Sequence, residues 1–349
     1  MHALRRSLLV AGVISIPFVA SAGDLTAGAT GVHRDVVFTE YSPLSSSTEL
    51  ARRLLTPLAD AALVRKTAGL RSPLQEQPID LARERFLVYV PSLAPPQGYS
   101  LLVFIPPWRD SIIPPGWAAV LDRRNMIFVS AANSGNDANV LARRIPLALL
   151  AAQNIMRLYP VDRERVYIGG FSGGSRVALR VALSFPDVFR GALLNAGSDP
   201  LGSAQAPLPA ADLFRQFQNS SHLVYITGND DRMHIELDDQ SRVSMREWCM
   251  FGASVETMIR TGHETAAPPD LDRALARLAE PLQPDADKLA DCRTRIAGQM
   301  QAQLAEAKAS IERGKAADAR RLLEKIDARY GGLAAPESLE LAQRIDARR

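Results

Sequence analysis

Residues 165–184 read RVYIGGFSGGSRVALRVALS. A short apolar run, RVYIG, enters Gly170-Phe171-Ser172-Gly173-Gly174, and a stretch with helical spacing follows over about 173–184. Gly-x-Ser-x-Gly between a strand and a helix places a serine on a tight, strained turn with its hydroxyl lifted above the sheet. Gly170 and Gly174 let the strand and the helix pass close to that turn. The Gly173 N–H then points at the oxygen of an attacked carbonyl, and the helix N-terminus adds a favourable field for negative charge. Ser172 is the candidate nucleophile and Gly173 a candidate oxyanion-hole donor.

Working outward, short apolar runs recur on both sides. Residues 86–90 (FLVYV), 101–105 (LLVFI), 126–130 (MIFVS), 191–195 (GALLN), 222–227 (HLVYIT) and 254–260 (SVETMIR) read as strands. Helical spacing fills 138–158, with Pro146 as a kink point, and also 236–250 and 270–279. HRDVVFTEY near residue 33 can open the sheet as an edge strand, and 48–66 is helical with a break near Pro57. Continuous apolar strands alternating with helices imply an α/β domain with a mainly parallel sheet covered by helices on both faces. Ligands of such sheets lie beyond the carboxyl ends of the strands.

A serine nucleophile needs a base, and the base needs an orienting acid. Strand 222–227 ends in Gly228-Asn229-Asp230-Asp231, and strand 254–260 ends in Thr261-Gly262-His263-Glu264. His263 is the candidate base. Asp231 is the candidate acid, with Asp230 beside it as the alternative. His234, in the acid's own loop, is the rival histidine, with a solvent-facing or substrate-contacting role as its other reading. Pro106 and Pro107 follow strand 101–105 and carry no N–H, so a second oxyanion donor falls to the amides of Trp108 or Arg109. Trp108 is also placed to wall the pocket. By position alone, Arg109, Phe171, Asn133, Ser134, Asn195 and Asp199 are further pocket candidates. This chemistry asks for no metal and no organic cofactor.

The chain has 349 residues, 47% hydrophobic and 23% charged, a globular composition for one large domain with an appendage. Arg5 and Arg6, the apolar stretch Leu8–Ala20 and then Ala20-Ser21-Ala22 read as a secretory signal peptide over 1–22, too short and too interrupted by Pro17 for a spanning helix. Its removal leaves 39 basic against 38 acidic residues, a net charge of +1. That balance, with no basic patch, argues against a nucleic-acid partner. The expected location is periplasmic or secreted, without a membrane span in the mature chain. Export permits a Cys249–Cys292 bridge, with two buried thiols as the alternative.

Pro281 and Pro284 separate the expected catalytic domain, 23–282, from a helical appendage, 285–349. Residues 286–312 and 316–329 have helical spacing, Gly331 suits a helix end, and Pro336 opens a short third helix. The phrase IERGKAADARRLLEKID resembles one unit of a tetratricopeptide repeat. One unit cannot bury its own apolar face, so the appendage is expected to pack on the body or to mediate self-association.

GGFSGGS after a strand, the GNDD loop, TGHE and the entry strand FLVYVPS together resemble the α/β-hydrolase superfamily. Within it they are most similar to the secreted poly(3-hydroxybutyrate) depolymerase and feruloyl-esterase-like group. The resemblance covers about residues 80–280. It implies an α/β-hydrolase fold, Ser172 as nucleophile, His263 as general base and acid, Asp231 as triad acid, and Gly173 as oxyanion donor. The chain departs from the group after the third strand, where a His-Gly pair is usual and Pro106-Pro107-Trp108 stands here. The expected function is an exported serine hydrolase of small-molecule or polymeric carboxylic esters. A serine peptidase on the same fold and a non-catalytic binding protein are the alternatives.

Overall fold

The computed structural model describes residues 25–68 and 75–347, so the expected signal segment 1–22 lies outside the described residues. In chain order the elements are β1 (Gly31–Val36), α1 (Ser47–Leu54), α2 (Pro57–Ala68), β2 (Phe86–Val90), β3 (Tyr99–Ile105), α3 (Trp117–Arg123) and β4 (Met126–Ala131). They continue with α4 (Ile145–Leu158), β5 (Val161–Phe171), α5 (Gly173–Ser184), β6 (Gly191–Asn195), α6 (Ala211–Ser220), β7 (His222–Gly228), α7 (Arg232–Glu247), β8 (Ala253–Met258) and α8 (Pro268–Leu278). Three helices close the chain: α9 (Ala286–Glu312), α10 (Ala316–Tyr330) and α11 (Glu337–Asp346).

The strands form one sheet in the order β1-β2-β4-β3-β5-β6-β7-β8. β1 and β2 run antiparallel to their neighbours, and β4, β3, β5, β6, β7 and β8 are mutually parallel. This is an α/β-hydrolase fold. The central strands are apolar on both sides because both faces are covered. Leu102, Phe104, Phe128, Tyr167, Leu193, Val224 and Ile226 turn to a core closed by Trp117, Val120 and Leu121 of α3 and Leu271 and Leu275 of α8. Their neighbours Leu101, Val103, Ile127, Val129, Ile168, Leu194 and Tyr225 turn to the other core, under α4, α5 and α6. Period two along each strand thus sorts one continuous apolar run into two cores.

The kink expected near Pro146 is a wide turn. Val140–Arg144 winds as a single π-helical turn ahead of α4, and the Asn139 side chain caps it by accepting from Leu141 and Ala142. α7 starts at Arg232, four residues earlier than its apolar spacing suggests, with Asp231 as its N-cap residue.

The C-terminal helices pack on the body. Leu289, Ile296, Leu304 and Ile311 of α9 and Leu323, Ile326 and Tyr330 of α10 share the core that holds Phe214, Phe217 and Trp248. Tyr330 meets Trp248 edge-on at 5.8 Å between ring centroids. Leu58 N–H donates to Asp327 at 3.0 Å. Cys249 and Cys292 are joined as a disulfide, with Cα atoms 5.8 Å apart, which resolves the two sequence readings in favour of the bridge. Among the described residues no helix is long and apolar enough to cross a membrane.

Candidate active site

β5 delivers Ser172 directly into the start of α5. Ser172 has φ 54° and ψ −124°, a conformation an L-residue holds only under local constraint. Two contacts impose it. Ser172 N–H donates to the Asn195 carbonyl at the end of β6 at 2.9 Å. Glycine at 174 lets α5 come against the Ile105 carbonyl, where a Cβ would collide with it. Likewise a Cβ on Gly170 would strike the Gly174 backbone. The small residues of the motif are therefore required by close packing of β3, β5 and α5.

Three side chains from separate loops meet at this turn. His263 Nε2 lies 2.9 Å from Ser172 Oγ. His263 Nδ1 lies 2.7 Å from Asp231 Oδ2. A carboxylate only accepts, so Nδ1 carries the proton and Nε2 is left to accept from the serine hydroxyl. Burial alone pushes the Asp231 carboxyl up, but hydrogen bonds from His234 and His263 outweigh it and hold the group below its ordinary value. Asp230 is exposed, and its N–H donates to the Thr261 carbonyl at 3.0 Å. Asp231 is thus the carboxylate that meets the histidine.

His234 has a place that its sequence position did not show. Its Nδ1 donates to the second oxygen of Asp231 at 2.8 Å, and its ring stacks on His263 at 4.0 Å and 14°. Phe171 also lies 4.8 Å from the His263 ring. The imidazole packs against both an aromatic ring and a second imidazole, while its edge is held by the carboxylate. The side chain of His234 is only 12% exposed, so neither the solvent-facing reading nor an open substrate contact describes it.

The loop after β3 lies against the same turn. Gly173 is the first residue of α5, where an N–H has no partner within the helix. The Trp108 N–H donates to no backbone carbonyl among the described residues. The Trp108 ring packs 6.1 Å from Phe171, and its indole nitrogen is buried without a partner among the described residues. Arg109 is exposed and pairs with Asp137 at 3.4 Å. Asn133 is exposed and lines an open cavity with Arg109, Glu84 and Arg143. Ser134 is buried.

Asn195, expected to line the pocket, does not reach it. Its side chain is fully buried. Its Oδ1 accepts from Ala266 N–H at 2.8 Å, and its Nδ2 donates to the carbonyls of Ile226 and Glu264 at 3.0 and 3.3 Å. Because strand β6 ends beneath the loop that carries His263, the amide ties that loop to the sheet. Trp117 adds a second tie through its indole N–H to the Ala266 carbonyl at 2.8 Å. Arg144 is a further residue that the sequence did not single out. Buried in the wide turn, it donates to the carbonyls of Ser134 and Pro106, each at 2.9 Å, and of Gly173 at 3.4 Å. One guanidinium thereby joins three loops around Ser172. Burial lowers its pKa to about 10, countered in part by Asp137.

Asp231, His234 and His263 also bring potential metal-ligand atoms within 4.8 Å of one another. Both Nδ1 atoms and both carboxylate oxygens are committed to each other, so a metal there would have to break the arrangement that orients His263.

No family model matches the chain, and no curated protein matches it in sequence. Solved structures do resemble it in fold. S-formylglutathione hydrolase from Staphylococcus aureus aligns over 56% of this chain and 93% of its own at 12% identity, with a TM-score of 0.44. A ferulic acid esterase aligns over 55% and 89% at 16% identity, TM-score 0.39. A hyperthermophilic esterase from the archaeon Pyrobaculum calidifontis aligns over 52% and 73% at 15% identity, TM-score 0.37.

Proposed function

We propose that the protein is a serine hydrolase of carboxylic esters that works through an acyl-enzyme. The observation that carries this reading is the continuous hydrogen-bonded line Ser172–His263–Asp231, at 2.9 and 2.7 Å, on a strained strand-to-helix turn. His263 Nε2 takes the proton of Ser172 Oγ as the oxygen attacks the ester carbonyl. The imidazolium that forms is stabilised by Asp231. Negative charge on the carbonyl oxygen is met by the N–H groups of Gly173 and Trp108. The tetrahedral intermediate collapses, the alcohol leaves with the proton from His263, and the acyl group stays on Ser172. Water, deprotonated by the same imidazole, then releases the acid.

The substrate is a small-molecule or polymeric ester, as the resemblance to depolymerases and feruloyl esterases suggests. Export of the protein goes with this reading. The Cys249–Cys292 bridge supports it, since disulfides persist in oxidising compartments. The test is a panel of matched ester and amide substrates against the wild type and Ser172→Ala. Ester turnover that vanishes in the variant, with amides cleaved far more slowly, is the expected result. Ester turnover unaffected by the substitution, or amides cleaved as fast as esters, overturns it.

A further inference from the structure

Beside the Ser172 turn, on the side of Gly173, lies an open cavity of about 350 Å³. Its size is within the roughly 300–1,000 Å³ usual for ligand sites. Arg144, Arg176, Arg180, Asp199, Asn136 and Gly173 line it. Three guanidinium groups face one carboxylate, an imbalance that stands out in a chain whose overall charge is close to neutral.

The pairing inside the cavity leaves donors to spare. Arg176 binds Asp199 through Nε and Nη2, both to a single carboxylate oxygen, at 2.9 and 2.5 Å. Arg180 gives Nη2 to the Leu54 carbonyl at 2.9 Å, and its buried Nε has no hydrogen-bond partner among the described residues. Among the described residues Arg144 donates only to backbone carbonyls. Among the described residues neither Arg144 nor Arg180 has a carboxylate within ion-pair distance. Burial lowers the pKa of both Arg144 and Arg180, and Asp137 and Asp199, beyond ion-pair distance, offset it only in part. A carboxylate in the cavity would add the counter-charge that these groups lack at ion-pair distance.

We infer that this cavity is a subsite for a carboxylate carried by the ester substrate, which makes half-esters of dicarboxylic acids and esters of hydroxy acids the preferred substrate class. This deepens the proposed ester hydrolysis and rests on it. A carboxylate is flat and takes two parallel N–H bonds from an arginine, a match that suits the terminal edge of Arg176, left free by Asp199, with Nη1 of Arg180 as a further donor. The cavity shares Gly173 with the turn, so a substrate anchored there presents its ester next to Ser172.

Two experiments test it together. In the first, kcat/KM is measured for mono-4-nitrophenyl adipate and for its methyl-capped neutral analogue. A matched pair with the carboxylate on the alcohol side is run beside them. The wild type is expected to favour one charged ester by about tenfold, as hydrogen bonds to charged groups imply. That ratio should fall towards one in Arg180→Gln and in Arg176→Gln, and with added salt. In the second, free adipate is titrated calorimetrically into the wild type and Arg180→Gln, a measurement that needs no catalysis. Binding lost in the variant is expected. Adipate binding without hydrolysis of any ester would leave the subsite standing and remove the esterase reading. Hydrolysis of both esters at equal kcat/KM, with no Arg180-dependent adipate binding, overturns the subsite and leaves the esterase reading intact.

Discussion

Substitution of His234 by alanine separates the two supports of the histidine beside Ser172. In the wild type His234 takes one oxygen of Asp231 at 2.8 Å and lies 4.0 Å from the His263 ring. Hydrogen bonds to charged groups contribute about 1.5–3 kcal/mol, which bounds the possible rate loss at roughly ten- to a hundredfold. Only the part of that bond that matters more in the transition state reaches kcat, so His234→Ala should lose about tenfold. This is far less than the loss on the order of 10⁴-fold found when a triad acid is neutralised in serine proteases. The sign of the pH effect also follows. The depressed Asp231 pKa contributes stability above its ordinary value of 3.8, and that contribution is lost as pH falls below it. Part of it should be missing in the variant, so the stability gap between the two proteins closes in acid. The assay is kcat against pH with a short 4-nitrophenyl ester, with melting curves alongside. His234→Asn, which keeps a donor at the Nδ1 position, should recover most of the rate. An unchanged rate in His234→Ala, with no stability gap from the wild type at neutral pH, would contradict it.

Asp231→Asn should cost far more turnover than Asp230→Asn, since only Asp231 meets His263; equal losses in two folded variants would contradict this. Trp108→Ala keeps the backbone donor and removes an indole beside Phe171, so long acyl esters should gain on acetate in kcat/KM, and an unchanged chain-length preference counts against Trp108 as a pocket wall. Replacing Cys249 and Cys292 together by serine should lower stability by about 4 kcal/mol for cysteines 43 residues apart, on the loop-entropy relation. Unchanged chemical denaturation would show that the bridge adds nothing to α9 packing.

Much of this architecture is legible in the chain because its strands are apolar on both faces and bounded by Gly or Pro. FLVYV and GALLN coincide with β2 and β6, and MIFVS with all but the last residue of β4. The strand before Ser172 is longer than its apolar part, because Val161–Arg165 extends it with exposed or half-buried residues that carry no hydrophobic signal. His234 was hidden for a related reason. Arg232 to Glu236 lacks helical apolar spacing, so the sequence pattern places the start of α7 too late. The true first turn aims His234 back at the N-cap residue Asp231. Asn195 differs from its expectation because position after a strand does not tell which loop crosses above it. A polar side chain at a buried strand end signals a tie to backbone as readily as a pocket wall. Arg144 could not be found from spacing at all, since its partners are carbonyls of three distant loops.

The most direct measurement is mass-spectrometric mapping of the adduct formed with a serine-reactive phosphonate. The account predicts one adduct, on the peptide holding Ser172, formed at a rate that tracks loss of ester turnover and absent in a folded Ser172→Ala variant. An adduct on another serine, or ester turnover that survives full labelling of Ser172, would contradict it.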